Sequence, residues 1–137
     1  MTARDARPPR RARVLLIALV VAWLAAFAGT HWPKGKLPST GVGDKRLHAL
    51  GYFVLGSVFH LALAARGVTR RRRIAILIGV LAVYGALDEI TQPIWPIHRH
   101  ASFTDWLADL GGAVAAAIVW ELVLHVRQRR RHPAEPD

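Results

Sequence analysis

Cysteine is absent from the 137 residues, which excludes disulfides, thiolate metal ligands and a cysteine nucleophile, and leaves the redox compartment open. Acids are scarce: nine Asp and Glu stand against nineteen Lys and Arg, for a formal net charge of +10. The chain holds no H-E-x-x-H zinc spacing, no Ser-His-Asp arrangement and no established phosphatase signature. Amphipathic alternation is also missing. The apolar residues, 53% of the chain, come in blocks, so almost nothing is left to build a soluble core.

Four blocks are present, at residues 14–30, 48–65, 74–90 and 103–126. Each approaches the roughly 17–25 residues that a bilayer-spanning helix needs. The expected fold is all-α: a polytopic membrane protein built as a four-transmembrane-helix bundle, residues 14–126, between basic tails at 1–13 and 127–137. Residues 1–13, with Pro8-Pro9, are expected to be disordered. The first block, with its basic flank and Ala26-Phe27-Ala28, also resembles a cleavable signal peptide. The uncleaved span is preferred, because small bundles rarely discard a helix they pack against.

The excess of positive charge invites a nucleic-acid partner, but its placement argues against one. Fourteen of the nineteen basic residues lie at 4–13, 66–73 and 127–131, three segments that share one side of a four-span chain. The positive-inside rule makes that side cytoplasmic, with both termini inside. Run 66–73 is read as a topology determinant that also meets anionic lipid headgroups. No aromatic or groove-reading element accompanies these runs.

The remaining charge concentrates at the other side. Asp44 opens the second block as an N-cap or first-turn acid, and His48 and then Tyr52 follow on its face. The third block must stop near Pro93 and carries Asp88, Glu89 and Gln92 at its end. In the following loop Trp95 is a membrane-interface anchor, His98 and His100 are exposed, and Arg99 carries a guanidinium fork suited to a carboxylate or phosphate. Ser102 to Asp105 reads as a capping box for the fourth helix. Asp109 lies one turn deeper, above the small residues Gly111, Gly112, Ala113, Ala116 and Ala117, which permit close helix approach. Acids at membrane depth point to a partner, a water-filled cavity or a function. Topology therefore gathers Asp44, Lys45, Arg46, His48, Asp88, Glu89, Gln92, Arg99, Asp105 and Asp109 at one leaflet. His60 reads as a hydrogen-bonded packing residue, and Glu121 as a partner for Arg127 or the cytoplasmic interface.

Three ordered motifs resemble the VanZ-like family of integral membrane proteins. Asp44-Lys45-Arg46-Leu47-His48 with Tyr52 and Leu55 is similar to the family's D-K-x-x-H-x-x-x-Y-x-x-L. Asp88-Glu89-Ile90-Thr91-Gln92 is similar to its D-E-x-x-Q. Arg99, Ser102, Asp105, Asp109 and Gly112 are similar to its R-x-x-S-x-x-D-x-x-x-N-x-x-G, with Asp109 standing where the family usually has Asn. The resemblance covers residues 43–117. It implies a cell-envelope setting in a bacterial cytoplasmic (inner) membrane, and its name links it to teicoplanin resistance and so to glycopeptide susceptibility.

Three functions fit the residues. One is an outer-leaflet polar pocket for a membrane lipid headgroup, a cell-wall lipid precursor or a glycopeptide, with Lys45, Arg46 and Arg99 on a phosphate or carboxylate. Another is an enzyme acting on a lipid phosphate, with His48 as acid or base and the acids around a divalent ion. The third is a salt-bridged cap that only joins helix ends. No cofactor is implied. A homo-oligomer is compatible with the span count, and a proton relay through Asp88 and Asp109 would require one.

Overall fold

The computed structural model describes residues 10–32, 43–94 and 100–131. Among them are four helices and no strand: α1 (Arg10–His31), α2 (Asp44–Ala65), α3 (Arg70–Thr91) and α4 (Phe103–Arg131). All four are long and apolar enough to cross a membrane. The 22-residue helices rise about 33 Å, against a hydrocarbon core of roughly 30 Å. The 29-residue α4 rises about 44 Å and projects beyond it.

The observed helices overrun the expected blocks. Residues 10–13, expected within a disordered tail, form the first turn of α1, and residues 127–131 extend α4 into the second basic tail. The third helix begins at Arg70, four residues before its apolar block. In each case the added residues are mainly arginines, which favour helix almost as well as alanine.

The helix ends follow from local chemistry. Gly43 precedes α2 in extended conformation, and Asp44 takes the first turn, where its charge complements the helix dipole. At the other end of α2, Gly67 adopts φ +72°. Its N–H donates to the Ala64 carbonyl (3.0 Å), while the Val68 N–H donates to the Leu63 carbonyl (3.2 Å). This is a Schellman ending. It turns the chain back within four residues, so that α3 begins beside the end of α2. Helix α3 ends before Pro93, as its sequence requires.

The helices alternate in direction. The end of α1, the start of α2, the end of α3 and the start of α4 meet at what we call the His48 end. The opposite extremity is the Arg73 end. The most extensive contact is between α2 and α4, and small residues make it. A Cβ placed on Gly112 would overlap the carbonyl oxygen of Ala49 and lie 2.9 Å from the backbone nitrogen of Phe53. One placed on Gly56 would lie 3.1 Å from the Ala116 methyl. Gly111, included in the expected small-residue seam, faces open space instead. Tyr52, Leu55, Leu77, Leu81, Ala113 and Ala117 form the buried core. Trp23 of α1 closes it edge-on, 4.9 Å from the Tyr84 ring and 6.0 Å from Phe59. Outward positions such as Ile17, Leu24, Val83, Ile90 and Leu122 are at least 60% exposed. So broad an apolar exterior suits lipid, not water.

Candidate functional site

Six of the expected site residues are buried at the His48 end: His48, Tyr52, Asp88, Glu89, Gln92 and Asp109. Their convergence depends on the α2–α4 seam. Gly112 lies three residues beyond Asp109 and touches the backbone of Ala49, the neighbour of His48. The two helices are thus closest directly beneath the two side chains. His48 Nδ1 lies 2.9 Å from Asp109 Oδ1 and 3.9 Å from Glu89 Oε1.

From α3, Gln92 Nε2 donates to Asp88 Oδ2 (3.3 Å) and Glu89 Oε1 (3.2 Å). One amide thereby braces two adjacent acids that leave the helix in different directions. Glu89 Oε2 accepts the Ser102 N–H at 2.7 Å. The expected capping box is therefore only half formed. The Ser102 hydroxyl does accept the Asp105 N–H (3.2 Å), but Glu89 of another helix takes the N–H that a box would pair with Asp105. This bond ties the end of α3 to the start of α4.

Two site residues come from α1 and were not anticipated. The Thr30 hydroxyl lies 2.8 Å from Asp88 Oδ1. His31 places Nδ1 3.4 Å from the same oxygen and Nε2 2.9 Å from the Thr91 hydroxyl. His31 lies one residue beyond the first expected span, 14–30. It is the last residue of α1, stacked on Phe27 with ring centroids 4.0 Å apart.

Two of the cations expected in the cluster, Lys45 and Arg46, stand apart from its buried side chains. Lys45 and Arg46 are exposed, and with Asp44, Ser102 and Asp105 they line a shallow surface cavity of about 440 Å³. Arg99, like Trp95 and His98, lies outside the described residues. His48 therefore sits between two groups of carboxylates. On the buried side are Glu89 and Asp109; toward the surface are Asp44 and Asp105, whose oxygens come within 4.8 Å of His48. Two buried oxygens, Asp109 Oδ2 and the Tyr52 hydroxyl, have no hydrogen-bond partner among the described residues. Both lie over Gly85, 3.4 and 3.2 Å from the point its missing Cβ would occupy.

An apolar groove of about 440 Å³ runs between α1 and α2 and reaches His48 and Tyr52. Ala22, Ala26, Leu50, Val54 and Leu55 line its walls, and Gly29 and Gly51 leave them low.

The Arg73 end holds a second buried polar cluster. Arg73 Nε donates to Glu121 Oε1 (2.9 Å) and to His60 Nε2 (3.1 Å), and Nη1 donates to the Val68 carbonyl (2.8 Å). His60 is hydrogen-bonded, as expected. Arg73 is not a simple topology charge, and Glu121 pairs with it and with Arg70 (3.6 Å), not with Arg127. Burial forces this: an acid facing the bundle requires a cation or a donor.

These features define a multi-pass membrane protein whose helices enclose a histidine–carboxylate centre near one end. Comparison with protein-family models, curated proteins and solved structures gives no match to this chain.

Proposed function

We propose that this is a VanZ-like protein of the bacterial cytoplasmic membrane that binds a lipid-tailed cell-envelope molecule, a membrane lipid or cell-wall lipid precursor, at an extracytoplasmic His48 end. The observation that carries the reading is the groove between α1 and α2. It presents an apolar wall at membrane depth and ends among the polar side chains Thr30, Asp44, His48 and Tyr52. That combination matches an amphiphile with a chain in the groove and a headgroup above it. It favours a lipid over a free glycopeptide, which would leave the apolar walls uncovered.

The adjoining surface cavity carries Lys45 and Arg46, which would meet a phosphate, and Asp44 and Asp105, which would meet hydroxyl or amine groups of the same headgroup. The sidedness rests on the basic runs, whose described residues, 10–13, 66–73 and 127–130, lie at the Arg73 end. Arg66, Arg70, Arg71 and Arg72 remain exposed there and carry the positive-inside bias even with Arg73 buried.

The test is native mass spectrometry of the protein purified from its own membrane, as wild type and as Gly51→Phe. Position 51 has nothing within 4 Å of an added Cβ, and replacing a helix-interior glycine does not weaken the helix. The introduced aromatic ring should therefore fill the groove and leave the bundle folded. Loss of a co-purifying lipid in the variant is expected. A wild type without lipid, or equal occupancy in a folded variant, would overturn the reading.

A second reading, an enzyme acting on a lipid phosphate, is favoured by one specific observation. The His48 imidazole is held 2.9 Å from a buried carboxylate, the arrangement that orients a general base. Phosphate release from a polyprenyl or diacylglycerol phosphate by wild type but not by folded His48→Gln would select it over binding alone.

A further inference from the structure

His48, Glu89 and Asp109 each offer a ligand atom, and these atoms all lie within 4.8 Å of one another. All three side chains are buried, exposed by 6%, 5% and 1%. Two donors about 2.1 Å from a tetrahedral ion stand about 3.4 Å apart. The observed separations of 2.9 Å from His48 Nδ1 to Asp109 and 3.9 Å to Glu89 bracket that value.

Acids near each other do not by themselves make a metal site. Three further features point to one here. Asp109 Oδ2 is buried with no hydrogen-bond partner among the described residues, so the carboxylate is paired only through Oδ1, with His48, and its second oxygen is left for coordination. The Tyr52 hydroxyl, 2% exposed and likewise unpartnered, lies over the same glycine as that oxygen. The third feature is the support behind the donors. Glu89 is fixed by the Ser102 N–H on one oxygen and by Gln92 on the other, as outer groups orient a ligating carboxylate. Asp88 has its own partners in Thr30, His31 and Gln92, so it does not compete for the imidazole.

We propose that His48, Glu89 and Asp109 bind one divalent transition-metal ion inside the bundle. One imidazole with two carboxylates suits zinc or manganese better than calcium or magnesium, which favour all-oxygen sites. The site does not require the lipid-binding reading: the ion would be held whether or not the groove is occupied.

The experiment uses full-length protein in detergent, freed of any affinity tag, stripped with a chelator and titrated with Zn²⁺ and Mn²⁺. Elemental analysis should give one ion per chain. Glu89→Gln, which keeps shape and the capacity to accept the Ser102 N–H, and Asp109→Asn should each weaken binding at least tenfold. Asp105→Asn should leave it unchanged. Co²⁺ loaded in place of zinc should give a visible spectrum in wild type that is lost in Glu89→Gln. A folded wild type that binds less than a tenth of an equivalent would overturn the assignment. So would Glu89→Gln that binds as wild type does, or loss confined to Asp105→Asn, which would move the ion to the surface group. If Asp109→Asn does not fold, Glu89→Gln and the wild-type cobalt spectrum still decide the question.

Discussion

Replacing Gly112 with alanine should damage this protein more than any other single-methyl addition in α4. The added Cβ would stand 2.9 Å from the Phe53 nitrogen and 3.0 Å from the Ala49 carbonyl carbon, and it would overlap the Ala49 oxygen. Ordinary contact begins at 3.4 Å, so α2 and α4 must part by at least the 0.5 Å between 2.9 and 3.4 Å. The obstacles are backbone atoms of a helix and cannot rotate away. Overpacking of this kind costs about 1–3 kcal/mol, partly offset by the roughly 0.5–1 kcal/mol that alanine contributes over glycine in a helix. Gly111 provides the control, since its Cβ would meet nothing. Gly111→Ala should be neutral or stabilising by up to about 1 kcal/mol. Equilibrium unfolding in SDS mixed micelles compares the two variants directly. Gly112→Ala should unfold at lower SDS than wild type and Gly111→Ala at the same level or higher. Because the strain falls beside the 2.9 Å contact between His48 and Asp109, the first variant should also lose ligand or metal bound there. Equal stability of the two variants would refute the close approach of α2 and α4 and the site geometry built on it.

At the Arg73 end, Arg73→Met should destabilise by about 3–5 kcal/mol, since it leaves Glu121 buried without its main cation. The double variant Arg73→Met/Glu121→Leu should recover most of that loss in the same unfolding assay, because a well-packed apolar pair is often as stable as the ions it replaces. Gly67→Ala should cost about 1–2 kcal/mol, the penalty for an L-residue at positive φ, read as a lowered thermal midpoint. Thr30→Val removes the 2.8 Å hydroxyl contact to Asp88 and should cost about 1–3 kcal/mol. Hydrogen exchange at the end of α1 should speed up in that variant, while the α2–α4 seam stays protected.

The span count and the gathering of polar residues at one end were legible because both depend on long apolar blocks and on their alternation across a membrane. His48, Asp88, Glu89 and Asp109 meet because span parity puts them at one level and the pattern of small residues turns them inward. Thr30 and His31 were not legible as site residues, since Thr30 closes the expected first block and His31 falls just beyond it, and no spacing pairs either of them with Asp88. Arg73 was hidden among four consecutive arginines. Helical phase could have singled it out: residues 73, 77, 81 and 85 are all buried, so the face carrying Leu77 and Leu81 carries Arg73 as well. The capping box at Ser102 was half right because sequence shows which groups can pair locally, but not that Glu89 from another helix takes the same donor.

The most extensive helix contact joins α2 to α4, which follows it in the chain by way of α3. Until α4 enters the membrane, α2 has only α1 and α3 beside it, His48 lacks Asp109, and His60 lacks the Glu121 that anchors Arg73. Because chains are made from the N-terminus and fold as their segments emerge, both polar clusters are completed by the same late event. Helix α4 thus works as a keystone: a nascent chain stalled before Phe103 would hold its acids and arginines in the bilayer half-neutralised.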